Sequence, residues 1–271
     1  MAATGKTGRK GLRGAPDWAL FLVSGLVYLF LYAPILVLMF FSFNSTRSTQ
    51  VWTGFSLEWY GELLRDQSVH DAFRTSLIVG VTATAIATVI GTLTALALSR
   101  HRFRGQTVAD SAIYAATVMP EIVVGVSLLV FFVAIQFALG ITTIIIAHVA
   151  FTISFVTIVV RARLAGMDPS MEEAAQDLGA SPVQTFLRVT LPLILPGVMA
   201  GALLAFTLSF DDFVITFFVS GVGSSTLPLK IYSMIKFGVS PVINALSTVV
   251  LVATMFLIFG GSRIFVNRED S

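Results

Sequence analysis

Cysteine is absent from this 271-residue chain, charge is scarce, and there are only three histidines. Each shortage excludes something. Without cysteine there is no disulfide, no thiolate metal site and no cysteine nucleophile, and the redox compartment stays open. His70, His101 and His148 stand far apart in sequence, with no His-x-x-Glu type of pair, so the spacing offers no metal site. A lone histidine such as His148 reads as a packed or hydrogen-bonded residue. No nucleophile–base constellation of an enzyme is visible. The phosphate-cradling pattern Gly-x-x-x-x-Gly-Lys-Ser/Thr is missing too, since Gly5-Lys6-Thr7 lacks its upstream half. Asp, Glu, Lys and Arg make up 12% of the residues, too few to clothe a soluble domain of this length.

What is present is apolar. Hydrophobic residues reach 56% and the mean hydropathy is +0.88. They gather into six runs: about Trp18–Phe43, Leu77–Leu98, Val108–Phe137, Ile141–Val160, Leu193–Ser220 and Val242–Gly261. Each supplies the ~20 residues a helix needs to cross the hydrocarbon of a bilayer. Lipid offers no partner to exposed backbone groups, so the runs are expected to be helices. The fold class read from this pattern is an all-α integral membrane protein with six transmembrane helices. Residues 1–17 form an N-terminal tail, 18–265 the transmembrane domain and 266–271 a C-terminal tail.

Flanking charge sets the orientation. With the N-terminus inside, the cytoplasmic segments carry Lys6, Arg9, Lys10, Arg13, Arg100, Arg102, Arg104, Arg161, Arg163, Arg188, Arg263 and Arg268, 12 of the 17 basic residues. Only Arg47, Arg65, Arg74, Lys230 and Lys236 fall outside. This bias places both termini in the cytoplasm. It also accounts for the sequence pI near 9.1 without nucleic acid as a partner. The first run has no small-residue cleavage site after it and reads as an uncleaved span. The outer loop from Asn44 to Arg74 mixes Trp52, Trp59 and Tyr60 with charges, as an interfacial segment does. In the second run, Ala83, Ala87, Gly91 and Ala95 recur every four residues, a small-residue stripe that lets another helix approach closely.

The loop between the fourth and fifth runs, residues 164–191, is polar but patterned. Ser170 with Glu173 and Ser181 with Gln184 both fit a capping box, and Pro182 suits a first helical position. Gly179 sits where a left-handed helix terminator belongs. Two short helices around a glycine turn are expected, a shape suited to docking a partner. The spacing Glu173-Ala174-Ala175, three residues, Gly179, nine residues, Val189-Thr190-Leu191-Pro192 resembles the EAA loop of ABC importer permeases. That resemblance implies a type I importer fold whose cytoplasmic coupling helices, with Glu173, Ala174, Ala175, Asp177, Leu178 and Gly179, dock into a separate ATPase subunit. This chain itself would be no enzyme and bind no cofactor; ATP and Mg would sit on the partner.

Acids within spans cost about 2.5–3.5 kcal/mol at the helix centre, so Glu121, Asp211 and Asp212 call for a reason. No Lys or Arg lies in the middle of any span. Acids without a basic partner either face water or are protonated, and a water-filled cavity of negative potential attracts cations. The alternative is that they cap helix ends or bond to amides at a break near Pro120. Asp211 and Asp212 point ~100° apart on a helix, so one of them is expected to face the cavity. The segments Met119-Pro120-Glu121-Ile122, Ser209-Phe210-Asp211-Asp212-Phe213-Val214 and Leu227-Pro228-Leu229-Lys230-Ile231-Tyr232 extend the resemblance to spermidine/putrescine permeases of the PotC/PotI type, over nearly the whole chain after residue 18.

That resemblance implies a polyamine path along Glu121, Asp211 (or Asp212) and Trp52, whose indole offers a cation–π face. It also implies a bacterial inner membrane location, a sister permease, two ATPase subunits and a periplasmic polyamine-binding protein. Rival readings are a permease of the same fold for an aminophosphonate, an iron chelate or another organic cation, and, in another class, a channel or an intramembrane enzyme. A channel has no use for an ATPase-docking loop.

Overall fold

The computed structural model describes residues 17–47, 51–236, 238 and 240–266. Most of the two tails read from the sequence lies outside these. The described chain is helical: α1 (Asp17–Phe41), α2 (Glu58–Arg65), α3 (Gln67–Arg100), α4 (Gln106–Val118), α5 (Glu121–Ala134), α6 (Ile141–Ala165), α7 (Ser170–Asp177), α8 (Pro182–Thr185), α9 (Leu191–Asp211), α10 (Val214–Val219), α11 (Leu227–Lys236) and α12 (Pro241–Val266). Among the described residues the β-type pairing is one isolated bridge between Asn44 and Phe55.

Among the described residues, four helical stretches are long and apolar enough to cross a membrane: Leu20–Phe41, Gln67–Arg100, Ile141–Ala165 and Pro182–Asp211. The third apolar run departs from the single span read from the sequence. It is broken into α4 and α5, which meet at 110°. The reason is local. Proline disfavours the helical region for the residue before it, and Met119 and Pro120 are both extended, with ψ of 131° and 132°. Pro241–Met255 is a shorter apolar helix.

The chain divides into two compact units, residues 1–65 with 238–271, and residues 66–237. In the first, α12 packs against α1 and α2. The loop after α1 is ordered by Asn44, whose Nδ2 donates to the Val51 carbonyl (2.8 Å) and whose Oδ1 accepts from the Thr53 amide (2.9 Å). The Trp59 indole is buried and donates to the Asn44 carbonyl, so this tryptophan is not the interfacial residue expected from sequence.

In the second unit α3, α6 and α9 pack on one another. Ala83, Ala87 and Ala95 are fully buried, as the small-residue stripe predicts. Gly91 is the tightest point: a Cβ there would lie 2.8 Å from Cβ and Cγ1 of Val156 on α6. Val156 also meets Gly201 of α9, where an added Cβ would sit 3.4 Å from the same Cγ1. One valine thus meets two glycines, and dispersion across this seam replaces the hydrophobic driving force that lipid does not supply.

Candidate functional site

Glu121 opens α5, directly after the Met119-Pro120 corner, and is exposed. An acid in the first turn of a helix meets the positive end of its dipole. Gly125 lies one turn further along the same face. There α10 comes close, so that a Cβ on Gly125 would stand 2.9 Å from Phe218 Cδ2 and 3.3 Å from Ile215 Cα. Asp211 and Asp212 stand just before α10, the helix that packs against α5 at Gly125. The second unit therefore brings these three acids to one region, at two helix breaks.

Asp211 and Asp212 have different surroundings. Asp211 is the last residue of α9 and is exposed. Asp212 is 8% exposed, and its backbone turns extended (φ −64°, ψ 123°). Its carboxylate accepts from the amides of Ile215 (3.2 Å) and Thr216 (2.8 Å) and from the Thr216 hydroxyl (2.8 Å), capping the first turn of α10. His148 Nε2 on α6 adds a contact of 3.1 Å. Asp212, one of the two acids read as candidates for the cavity, is held inside the protein. His148, left by sequence as a packed or hydrogen-bonded residue, is buried, with Nδ1 2.7 Å from Ser209 Oγ and Nε2 3.0 Å from Thr216 Oγ1. No spacing rule links position 148 to 209, 212 and 216, so sequence could not pair them.

Trp52 belongs to the first unit. Its indole stacks on Phe40, with centroids 4.3 Å apart, so one ring face is already covered.

The loop 164–191 forms the two short helices expected. Gly179 has φ +87°, and the Gly179 and Ala180 amides return to the carbonyls of Gln176 (2.8 Å) and Ala175 (3.1 Å), a Schellman closure. Ser181 and Gln184 make the reciprocal capping box of α8, with Pro182 at its first position. The first box is a correction. Ser170 lies inside α7, and it is Asp168 whose carboxylate accepts from the Ser170 amide (3.0 Å). That amide holds the Asp168 carboxyl below its ordinary value.

Glu172, missed in the sequence because Glu173 fills the motif, ties the loop to the helices. Its Oε1 accepts from Arg100 Nη2 at the end of α3 and from the Thr190 hydroxyl, both at 2.6 Å. Thr190 closes a π turn, Phe186–Thr190, that leads into α9. Glu173, Ala174, Asp177, Leu178 and Gly179 are exposed, and Ala175 is half-buried. Apolar side chains of this loop are also exposed: Met171, Leu178, Val183 and Leu187, with Leu178 at 90%.

Residues 87–267 match the family described as "Binding-protein-dependent transport system inner membrane component". The chain is 47% identical over 231 residues to the putrescine transport system permease protein PotI of Escherichia coli (strain K12), covering 83% of this chain and 82% of that one. It is 43% identical over 238 residues to the spermidine/putrescine transport system permease protein PotC of the same organism, covering 88% and 90%. Among solved structures, a bacterial ABC transporter for import of the acidic polysaccharide alginate aligns with TM-score 0.75 at 17% identity, over 92% of this chain and 96% of that one. The MetNI methionine ABC transporter aligns with TM-score 0.60 at 20% identity, over 78% and 97%. These two likenesses concern the fold.

Proposed function

The chain belongs to the binding-protein-dependent transport system inner membrane components, and from that premise we propose that it is the polyamine permease subunit of an ABC importer. Its location is the inner membrane. In this reading six helices span the bilayer with both termini in the cytoplasm, α4 and α5 together making one bent span. Putrescine or spermidine, delivered by a periplasmic binding protein, crosses between this chain and a sister permease.

The observation that carries the substrate class is the pair of exposed carboxylates, Glu121 and Asp211, each at a helix break in one unit. A di- or polyammonium chain leaving water loses solvation that only fixed negative charge restores. Two separate carboxylates suit a flexible cation better than one closed cage, because the substrate must also leave. By the family resemblance Trp52 is also a path residue, its indole able to offer a cation–π face to an ammonium group.

Power comes from elsewhere. Two ATPase subunits, holding ATP and Mg, dock against α7 and α8. The support is the exposed apolar set Met171, Leu178, Val183 and Leu187 on a polar loop, a surface that water alone does not favour. Glu173, Ala174, Ala175, Asp177, Leu178 and Gly179 form the adjoining contact, and Glu172 carries its movement to α3 and α9.

The reading is tested in cells lacking their own polyamine uptake. Expression of this chain with its sister permease, ATPase and binding protein should restore accumulation of labelled putrescine or spermidine, with no effect of excess sulfate or phosphate. Restoration of anion uptake, or no polyamine uptake from an assembled complex, overturns it.

A further inference from the structure

The break between α9 and α10 has no glycine or proline to cause it. Its sequence is Asp211-Asp212-Phe213: Asp212 caps the first turn of α10, and one side chain of α6 bridges the two sides of the break. His148 is 1% exposed and touches both sides of the break. Nδ1 meets Ser209 Oγ on the last turn of α9 at 2.7 Å. Nε2 meets Asp212 Oδ2 at 3.1 Å and Thr216 Oγ1, in the first turn of α10, at 3.0 Å. A neutral ring protonated at Nε2 satisfies these contacts: it donates toward Asp212 and Thr216 and accepts from the Ser209 hydroxyl. Thr216 in turn donates both its amide and its hydroxyl to Asp212. The network leaves the backbone at Asp211 little freedom, since the residues on each side of it are pinned to the same imidazole.

We propose that His148 is the positioning residue of the substrate path: by clamping Ser209 and Asp212 it fixes the direction in which Asp211 presents its carboxylate to the passing cation. The inference rests on the polyamine reading of Asp211 above. His148 itself touches no substrate. Its effect is on how well the exposed carboxylate is aimed, so it belongs in the substrate concentration needed for transport rather than in the amount of complex formed. It also gives the adjacent acids separate roles. Asp212 is spent on holding the break, and Asp211 is free to face the path.

The test uses the complete transporter in proteoliposomes, with binding protein and labelled putrescine. His148→Phe keeps the ring volume and removes both nitrogens. It should raise the half-saturating concentration about tenfold, the order of a lost hydrogen bond to a charged group, with maximal rate per assembled complex nearly kept. His148→Gln, which restores a donor near Nε2, should recover most of that loss. In an Asp211→Asn background His148→Phe should add almost nothing, because both act through one carboxylate.

A fall in maximal rate that tracks lost complex, with unchanged half-saturation and no rescue by Gln, makes His148 merely structural and overturns the inference. Additive effects of the two substitutions overturn it as well. If Asp211→Asn alone leaves uptake unchanged, it is the reading of Asp211 as a path residue that fails. If Asp211→Asn weakens apparent affinity and His148→Phe does not, the path stands and the positioning role falls. Should His148→Phe not assemble, His148→Gln and Ser209→Ala carry the test, each expected to shift half-saturation in the same direction, and the absence of any shift overturns the role.

Discussion

Asp211 and Asp212 are adjacent and chemically identical, yet the first is exposed and the second buried against His148 and α10. Asp211→Asn is expected to weaken apparent affinity for polyamine while the complex keeps its stability, because the side chain is exposed. Asp212→Asn is expected to cost about 1–3 kcal/mol of stability, since it unbalances a buried acceptor serving Ile215, Thr216 and His148. Thermal unfolding of the purified complex beside uptake kinetics separates the two; equal effects on both observables would contradict the division. Taken as neighbours on one helix the two acids diverge, so the sequence leads to the expectation that one of them faces the cavity. It does not show which, because the answer depends on a histidine 64 residues away. The same limit applies to tryptophan. Trp52 and Trp59 look alike in sequence, but Trp59 is buried and donates to the Asn44 carbonyl, whereas Trp52 is exposed and stacks on Phe40.

Helices and their ends were legible where one short stretch of chain carries the whole signal. The stripe Ala83, Ala87, Gly91, Ala95 announces the α3 seam by spacing alone, and Gly179 and Ser181 announce the loop's turn and second cap. Gly91→Val should therefore cost about 1–3 kcal/mol by overpacking against Val156, read as reduced yield and lower melting temperature of the complex, with partial recovery by Val156→Ala. Unchanged stability would mean that the seam is looser than its 2.8 Å approach implies. The cap of α3 was not read from sequence. There Asp66 accepts from Ser68 Oγ (2.6 Å) and from the amides of Ser68 (2.9 Å) and Val69 (3.3 Å).

The Ser68 hydroxyl, then those amides and Lys230, outweigh partial burial and hold the Asp66 carboxyl below its ordinary value. A depressed carboxyl contributes stability that is fully present above its unfolded pKa, about 3.9, and is lost as pH falls through the lower folded value. The protection of the first-turn amides of α3, taken relative to their intrinsic exchange rate, should thus be larger at pH 5 than well below pH 4. Asp66→Ala should lose about 1 kcal/mol of that protection at pH 5. In the loop 164–191, Glu173→Lys should reduce substrate-stimulated ATP hydrolysis without disturbing the helices, because its side chain is exposed. Glu172→Lys should also loosen the loop from Arg100 and Thr190, visible as faster proteolysis between α7 and α9. Wild-type coupling in Glu173→Lys would remove it from the docking surface.

At the scale of the whole molecule, apolar runs of membrane length and few charges mark a membrane protein, and the spacing within the loop 164–191 adds the resemblance to importer permeases. The 110° corner between α4 and α5 was half legible: Pro120 marks a break, but only packing decides how far the chain turns. That corner and the α9–α10 break are where Glu121 and Asp211 stand, so the irregular backbone and the acids belong to one feature. Irregular backbone at membrane depth persists where it is buried in protein or lines a water-filled cavity.

The most direct measurement is ATP-driven uptake of labelled putrescine into proteoliposomes holding the complete transporter, wild type against the Glu121→Gln/Asp211→Asn double variant. The predicted result is a loss of at least about tenfold in uptake at subsaturating putrescine, as expected when charge-matched contacts are removed, with the ATPase subunits still bound. Wild-type uptake by the double variant would contradict a carboxylate-lined cation path.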